Sequence, residues 1–196
     1  PQSYNANDLG AGLCAAALGT DTMGSVRIPS AYCGVFGIKP RFGAVPNEGV
    51  TPLSPSLDHV GVHARSAEDC TRVLAVIGDA DPAASSGTMA VLDVTGRAAL
   101  SEDVRAAFAV LVARAGAEGL VEGSVALDVD LGRLRRRGLL ISEVEGMAEH
   151  AAMMAERPEG FSSTFAGMLR WGAEQPTDKL AEAHAELALA RAAVEA

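Results

Sequence analysis

The composition of the chain changes partway along its length, and this change constrains the fold more than any other feature. Up to about Asp79 the sequence is rich in Gly and Pro, with short apolar runs between turn signals. From Leu100 onward it is rich in Ala and has helical periodicity. The polar segment 79–87 between them is typical of a surface loop within one domain. Together these features predict a mixed α/β fold.

Serines that precede apolar periodic runs mark two helix starts. Ser66–Asp69 has the form of a capping box, which predicts a helix from Ser66 to about Ile77. Ser101 begins another helix, with acidic residues in its first turn. The apolar positions of this second helix are expected to form one buried stripe: Val104, Phe108, Leu111 and Val112.

The remainder of the Ala-rich half is predicted to be one strand and three helices. Val125, Leu127 and Val129 alternate with small or acidic residues, which predicts a strand after the Ser101 helix. The helices are predicted at Leu131–Glu156, Ser162–Ala173 and Thr177–Ala196.

Charge and length exclude several classes of partner. Sixteen Lys and Arg against 25 Asp and Glu give a formal charge of −9, which opposes attraction to nucleic acid or anionic lipid. The apolar stretches stop well short of the roughly 18 residues that a membrane span needs. We therefore expect no nucleic acid and no membrane as a partner.

The cysteines and the start of the sequence indicate a cytoplasmic protein. Cys14, Cys33 and Cys70 are odd in number and irregular in spacing, which supports neither a disulfide framework nor a zinc site. The first residues contain neither a basic region nor an apolar run of the kind that forms a secretory signal. A reducing, cytoplasmic setting fits both observations.

The segment Gly19–Ser30 carries the chemistry. A glycine-flanked, hydroxyl-rich loop can aim successive backbone N–H groups at one point and so bind an anion or an oxyanion, although a tight turn without chemistry fits equally well. A phosphate-binding P-loop is excluded because Ser25 stands where that motif needs Lys. In the remaining chemical interpretation Ser25 is a nucleophile, and the preceding amides stabilise the oxyanion of acyl transfer.

The residues around this loop resemble the signature of the amidase signature family of serine hydrolases. The matching stretches are Gly19–Pro29, Ala31–Pro40, Gly43, Ser56–Gly61, and Ala64–Ser66 leading into Glu68-Asp69. The likeness is strong from Leu9 to Asp79 and loose over the Ala-rich remainder. It implies a mixed β-sheet core surrounded by helices, as one amidase-signature domain over residues 1–196.

The resemblance also implies a Ser–Ser–Lys mechanism without metal or organic cofactor. Ser25 matches the nucleophile, which attacks an amide carbonyl and forms an acyl-enzyme that water then hydrolyses. A second serine, in a cis peptide, relays the proton to a lysine base. Thr22, Met23 and Gly24 match the backbone of the oxyanion hole, with Met23 where Gly is commonest. Asp21 and Arg27 match positions that we interpret as polar supports of the loop.

Two catalytic groups of the family have no match in this sequence. The segment that supplies the relay serine falls at residues 1–8, which do not resemble it, and the base lysine normally lies further upstream. Either segments are missing from the sequence or catalysis has been lost, and the intact nucleophile loop favours the former. The chain is therefore expected to be an incomplete portion of the fold, with the catalytic core loop at 9–79 and an Ala-rich helical region at 100–196.

Other polar residues are weaker candidates. Lys39 belongs to a family stretch different from that of the catalytic lysine, so it is not expected to be the base. His59 and His63 could pair with Ser25 in a Ser-His-Asp arrangement with Asp58, but the spacing does not require it, and loop or surface positions are favoured. The basic cluster at residues 133–137 is expected to be a solvated helix face.

These observations predict an amidase that hydrolyses a carboxamide C–N bond through an acyl intermediate on Ser25. The expected partner is a small-molecule amide substrate, and the sequence is compatible with a homo-oligomer. Two alternatives remain open. One is a non-catalytic, amidase-like interaction subunit. The other is the glutamine-hydrolysing subunit of a tRNA-dependent amidotransferase, a branch that usually has Gln at the position of Ile28.

Overall fold

The computed structural model describes residues 2–78, 89–92, 100–126 and 128–195. They form seven α-helices and five β-strands, which confirms the mixed α/β class. In chain order the elements are α1 (Gln2–Gly10), β1 (Ala16–Thr20), α2 (Arg27–Tyr32), β2 (Phe36–Ile38), β3 (Val60–Ala64), α3 (Ala67–Ile77), β4 (Met89–Leu92), α4 (Glu102–Ala117), β5 (Val121–Val125), α5 (Leu131–Glu156), α6 (Ser163–Ala173) and α7 (Thr177–Glu195).

The described residues divide into two compact units. The first comprises residues 2–78 and 138–183, and the second comprises residues 89–92, 100–126, 128–137 and 184–195. The expectation of a single domain over 1–196 stays a prediction, and the predicted loop at 79–87 lies outside the described residues.

The first unit is built on a three-stranded antiparallel sheet in the order β1-β3-β2. All five residues of the central strand β3 are buried. Its side chains form the core with residues of α3 and of the preceding loop: Val45, Val60, Val62, Ala64, Cys70 and Leu74. The sheet thereby gives the loop after β1 a rigid base.

Capping serines begin three of the helices where the sequence predicts them. Ser66 Oγ accepts a hydrogen bond from the Asp69 amide at 3.0 Å, which confirms Ser66 as the cap of α3. The Asp69 carboxylate accepts from the Ser66 hydroxyl, whereas in a full capping box it accepts from the main-chain N–H of the serine. Ser101 caps α4, and Ser162 caps α6 by accepting from Phe165 N. The predicted bounds of α5 are confirmed, and α7 begins at Thr177 as expected.

A strand follows α4 as predicted, but its predicted position at 125–129 is wrong. The strand in this region, β5, ends at Val125, and it pairs in parallel with β4 through Met89–Val121 and Leu92–Val125. Asp130 instead caps the N-terminus of α5, because its Oδ1 accepts a hydrogen bond from the Arg133 amide at 2.8 Å. Leu127 lies outside the described residues.

The predicted buried stripe on α4 is also wrong. No residue of α4 is buried, and Val104, Phe108 and Leu111 are 53%, 43% and 62% exposed. Among the described residues, the main packing partner of α4 is the strand β5, which is itself mostly exposed. The periodicity therefore predicted the helix correctly but not the burial of its apolar side.

Helix length and hydropathy bear on membrane association. Across the described ranges, none of the helices combines the length and the apolar character needed to cross a bilayer.

The packing of Gly61 generates a stability prediction. A Cβ at this β3 position would lie 2.6 Å from the Ile38 carbonyl oxygen and 3.1 Å from Val26 Cγ2. Because neither neighbour can give way freely, Gly61→Ala should lower the free energy of unfolding by about 1–3 kcal/mol, measured by urea denaturation.

Gly167→Ala is the matched control, since a Cβ at this exposed position of α6 would meet nothing within 4 Å. It should be neutral or stabilising by up to about 1 kcal/mol. Equal unfolding midpoints for Gly61→Ala and the wild type would contradict the packing described for β3.

Candidate active site

Five of the six predicted site residues lie in the loop between β1 and α2, and the sixth, Arg27, is the first residue of α2. The loop leaves the sheet directly after Thr20, the last residue of β1, and Asp21 N still donates to His59 O at 2.8 Å. Residues 21–26, the nucleophile loop, then turn back into α2, which begins at Arg27. The structure therefore brings the candidate nucleophile and its predicted supports together at one edge of the sheet.

The carboxylate of Asp21 is the acceptor around which the nucleophile loop closes. Asp21 is fully buried. Its Oδ1 accepts from Gly24 N at 2.7 Å, and its Oδ2 accepts from the Val26 and Arg27 amides, both at 3.3 Å. One side chain thus satisfies three main-chain donors that no strand or helix partner serves.

Two cations balance the buried carboxylate. The Arg27 guanidinium binds both oxygens, with Nε 2.9 Å from Oδ2 and Nη2 3.0 Å from Oδ1. Lys39 Nζ lies 3.5 Å from Oδ1. Burial raises the pKa of Asp21, but the hydrogen bonds and charge of Arg27, with the charge of Lys39, outweigh it and hold that pKa well below its usual range. Asp21 is therefore ionised at neutral pH.

A second buried carboxylate connects the nucleophile loop to the segment 53–58. Thr22 Oγ1 donates to Asp58 Oδ1 at 2.5 Å. The other oxygen of Asp58 accepts the amides of Leu53 and Ser54 at 2.7 and 2.8 Å. The bond of Thr22 thus holds the loop against this segment.

Glu145 of α5 supports the same segment from a distant part of the sequence. Its carboxylate accepts from the hydroxyls of Ser54 and Ser56, each at 2.6 Å, and from Ser56 N at 3.2 Å. Sequence reasoning missed this role, because about 90 residues separate Glu145 from its partners and no spacing rule links them. The spacing of Glu143 and Glu145 indicates only that the two point to different faces of their own helix.

The hydroxyl of Ser25 is exposed, and no other described residue hydrogen-bonds to it. The preceding residue, Gly24, has φ +130°, and a Cβ there would lie 2.6 Å from Ile28 Cδ1. Only glycine fits this position without strain. The turn thus places Ser25 at the surface, directly after a residue whose backbone leaves no room for a side chain.

The three predicted oxyanion donors differ in their bonding. The Gly24 amide donates to Asp21. For the amides of Thr22 and Met23 there is no acceptor within the part of the chain that the structure describes. The Met23 side chain packs toward α5, since a Cβ at Gly138 would lie 2.6 Å from its Sδ. Two adjacent N–H groups are thus left available beside Ser25.

The candidate histidines do not bind Ser25. His63 Nδ1 is 2.8 Å from Ser30 Oγ, and its ring lies fully buried in β3, so the expectation of a loop or surface position is wrong for His63. The sequence did not indicate the strand β3, because every one of its residues is buried. His59 lies in a loop, as expected, with Nδ1 2.7 Å from Leu57 O. Burial lowers the pKa of both imidazoles.

The basic cluster on α5 is not fully solvated. In the second unit, Arg133 and Arg137 both bind the carboxylate of Glu186, with Nη2 2.6 and 2.7 Å from Oε1. The Arg137 side chain is only 18% exposed. The expectation of a solvated face is therefore wrong for Arg137, whose guanidinium is bonded to an acidic side chain of α7.

The described ranges contain no group of three or more His, Cys, Asp or Glu that could bind a metal ion.

Comparison with known proteins identifies the family. The sequence model described as Amidase matches residues 5–165. The chain belongs to the amidase family. This confirms the resemblance that the motifs around Ser25 indicated, and it extends the match across all of α5 and into α6.

Individual relatives agree with this assignment. The A subunit of glutamyl-tRNA(Gln) amidotransferase from Roseiflexus sp. (strain RS-1) is 40% identical over 139 residues, which is 68% of this chain and 28% of the relative. The mitochondrial counterpart from Drosophila pseudoobscura pseudoobscura is 47% identical over 77 residues, or 39% of this chain and 15% of the relative. A crystal structure of an amidase has 29% identity and a TM-score of 0.83, and the match covers 97% of this chain and 44% of that one. The matched part of the present chain thus corresponds to less than half the length of each of these proteins.

The ion pair of Asp21 generates a pH-dependent prediction. Asp21→Asn should lower the free energy of unfolding at pH 7 by about 2–4 kcal/mol, because Arg27 and Lys39 lose their buried counter-charge. The folded pKa of Asp21 lies below its ordinary value of 3.8, so the stabilisation is present above that pH and is lost as the pH falls below it. The difference from the wild type should therefore shrink in acid, as measured by urea denaturation from pH 7 to pH 3.

Glu68→Gln is the control for this series. It removes an exposed ion pair with Arg72, which should be worth no more than about 0.5 kcal/mol at any pH. A difference between Asp21→Asn and the wild type that stays constant down to pH 3 would contradict the assigned ionisation of Asp21.

Proposed function

We propose that the protein is an amidase that hydrolyses a small-molecule carboxamide through an acyl intermediate on Ser25. The observation that supports this most is the nucleophile loop itself. Ser25 is exposed and its hydroxyl has no bonded partner among the described residues. The backbone N–H groups of Thr22 and Met23 lack an acceptor there as well, and the buried carboxylate of Asp21 fixes the turn that contains them. Family membership supports the same chemistry.

The reaction follows from these groups. Ser25 Oγ attacks the carbonyl carbon, its proton leaves to a base, and the carbonyl oxygen becomes an oxyanion. The amides of Thr22 and Met23, with that of Gly24 shared with Asp21, donate hydrogen bonds to this oxygen, and one such donor is worth roughly 3 kcal/mol. The C–N bond then breaks, and the nitrogen takes a proton and leaves as ammonia or an amine. Water attacks the acyl ester, which releases the carboxylic acid and restores the hydroxyl.

The base and the proton relay are part of this proposal by resemblance only. The family uses a second serine and a lysine, and no stretch of this sequence matches their segments. Lys39 does not take this role here, because its Nζ is bonded to Thr22 O at 3.1 Å and faces Asp21. Asp21 and Arg27 act as supports that fix the main chain of the loop and carry no proton.

The setting of this activity is proposed on the same basis. The odd number and irregular spacing of the cysteines favour a cytoplasmic protein, and the reaction needs no metal or organic cofactor. Membership of the family is compatible with a homo-oligomer.

An active-site probe tests the assignment of the nucleophile. A serine-directed fluorophosphonate should label the full-length protein, and Ser25→Ala should abolish both labelling and amide hydrolysis, because Ser25 supplies the hydroxyl that attacks the probe and the substrate in the proposed reaction. Intact-mass and peptide mass spectrometry locate the label.

Ser163→Ala is the matched control. Ser163 is exposed at the start of α6 and has no hydrogen-bonded side-chain partner among the described residues. Its substitution should leave both readouts unchanged. Labelling that survives Ser25→Ala would move the nucleophile elsewhere, and no labelling in any form of the protein would favour the non-catalytic alternative.

The second candidate function is that of an amidotransferase subunit. It is favoured by the relative from Roseiflexus, whose match covers 68% of this chain at 40% identity. Ile28, which is 55% exposed beside Gly24, stands where that branch usually has Gln. We rank this function below the free amidase for that reason.

Glutamine hydrolysis separates the two functions. The free amidase should release ammonia from simple carboxamides without any added protein, whereas the amidotransferase subunit should release it from glutamine only when its partner subunits are present. An enzyme-coupled ammonia assay with and without co-purified partners gives the answer. Turnover of simple amides by the isolated protein would reject the second function.

A further inference from the structure

Besides its ion pair with Asp21, Lys39 bonds to one main-chain atom of the nucleophile loop. The residue directly follows β2, and its side chain is 19% exposed. Its Nζ donates to the carbonyl oxygen of Thr22 at 3.1 Å. This oxygen belongs to the same peptide group as the Met23 N–H, so the ammonium bonds to one end of a unit whose other end is a proposed oxyanion donor.

Because of the geometry of a peptide group, the bond from Lys39 to Thr22 O also determines the direction of the Met23 N–H. The group is planar and trans, so its C=O and its N–H point in opposite directions. A carbonyl of Thr22 that is bound to Lys39 therefore directs the Met23 N–H away from Lys39. If this peptide rotated by half a turn, a carbonyl oxygen would replace the N–H, and a partial negative charge would face the oxyanion.

The other restraints on this part of the loop act beside the peptide group. Thr22 is bonded through its side chain to Asp58, and the next amide restraint is Gly24 N on Asp21. Both bonds flank the Thr22–Met23 peptide without touching it. Among the described residues, the bond from Lys39 is the one that specifies which way its N–H points.

We propose that Lys39 is a positioning residue, which orients the Thr22–Met23 peptide so that the Met23 N–H is available to the oxyanion. The inference rests on the proposed function, because it assigns a role within the same reaction. It differs from a role as base, since Nζ acts here as a hydrogen-bond donor before, during and after the attack of Ser25. Burial lowers the pKa of Lys39 against the opposing charge of Asp21, but the amine donates to Thr22 O in either protonation state.

Kinetics of the full-length protein test this role. Lys39→Met keeps most of the length of the side chain and removes its donors. It should lower kcat for amide hydrolysis about 100-fold, the lower end of the range for loss of one oxyanion donor. KM should change less than about 3-fold, because the donor acts on the transition state. The rate of labelling by the fluorophosphonate should fall in parallel.

Rescue distinguishes positioning from a general structural role. Lys39→Arg retains charged donors and should recover at least about a tenth of the wild-type kcat. Added propylamine should raise the kcat of Lys39→Ala, and it also provides the test if Lys39→Met does not fold. Arg41→Met is the matched control, since this exposed side chain has no bonded partner among the described residues, and its kinetics should equal those of the wild type.

The outcomes separate the two proposals. A wild-type protein that is neither labelled at Ser25 nor active rejects the proposed function and this inference with it. Ser25-dependent activity with an unchanged kcat in folded Lys39→Met rejects the inference alone. So does a loss that follows the melting temperature and responds neither to Lys39→Arg nor to propylamine.

Discussion

The buried carboxylate of Asp21 is the interaction on which the site depends. Removal of a carboxylate from water is costly unless hydrogen bonds and opposite charge compensate for it. Asp21 is compensated by three amides of its own loop, by two guanidinium nitrogens and by a nearby ammonium. All these donors converge only when residues 21–27 adopt one conformation. The need to compensate the buried charge of Asp21 therefore determines the conformation of the turn that exposes Ser25.

Two more carboxylates, those of Asp58 and Glu145, support loop segments farther from Ser25 in the same way. Loop amides have no ladder partners, so a buried loop needs side-chain acceptors. Asp58 accepts the amides of Leu53 and Ser54 together with the Thr22 hydroxyl, and Glu145 then accepts from Ser54 and Ser56. Three carboxylates thus form a chain of supports from α5 to the nucleophile loop, and each connects segments that no strand or helix pairs.

The parts of this structure that were predictable from the sequence are those determined by near neighbours. Ser66 and Ser162 act through amides three residues away, so they predict the starts of α3 and α6 correctly. The loop around Ser25 was recognisable from its glycine-flanked, hydroxyl-rich sequence and from its resemblance to the amidase signature. The bonds of Asp21 to Gly24 and Arg27 that hold it span no more than six residues. The partnership of Glu145 with Ser54 depends on packing between distant segments, and nothing local indicates it.

The errors have the same physical origin. β3 was not predicted because burial of both faces removes the polar alternation that marks a strand. The apolar stripe of α4 was wrongly predicted to be buried. Periodicity shows which side of a helix is apolar, but it does not show whether another element covers that side. His63 was expected near the surface for a related reason, since the central place of its strand in the sheet order decides its burial.

Access to solvent, more than the presence of a base, distinguishes the two serines near α2. Ser30 Oγ lies 2.8 Å from His63 Nδ1, a distance typical of a nucleophile and its general base. Ser30 is 1% exposed and His63 is fully buried, so no carbonyl can approach either from solvent. The more reactive-looking pair is therefore part of the interior, where it bonds α2 to β3. Ser25, which is exposed and lacks a bonded partner in the described chain, is the one of these two serines that is open to solvent.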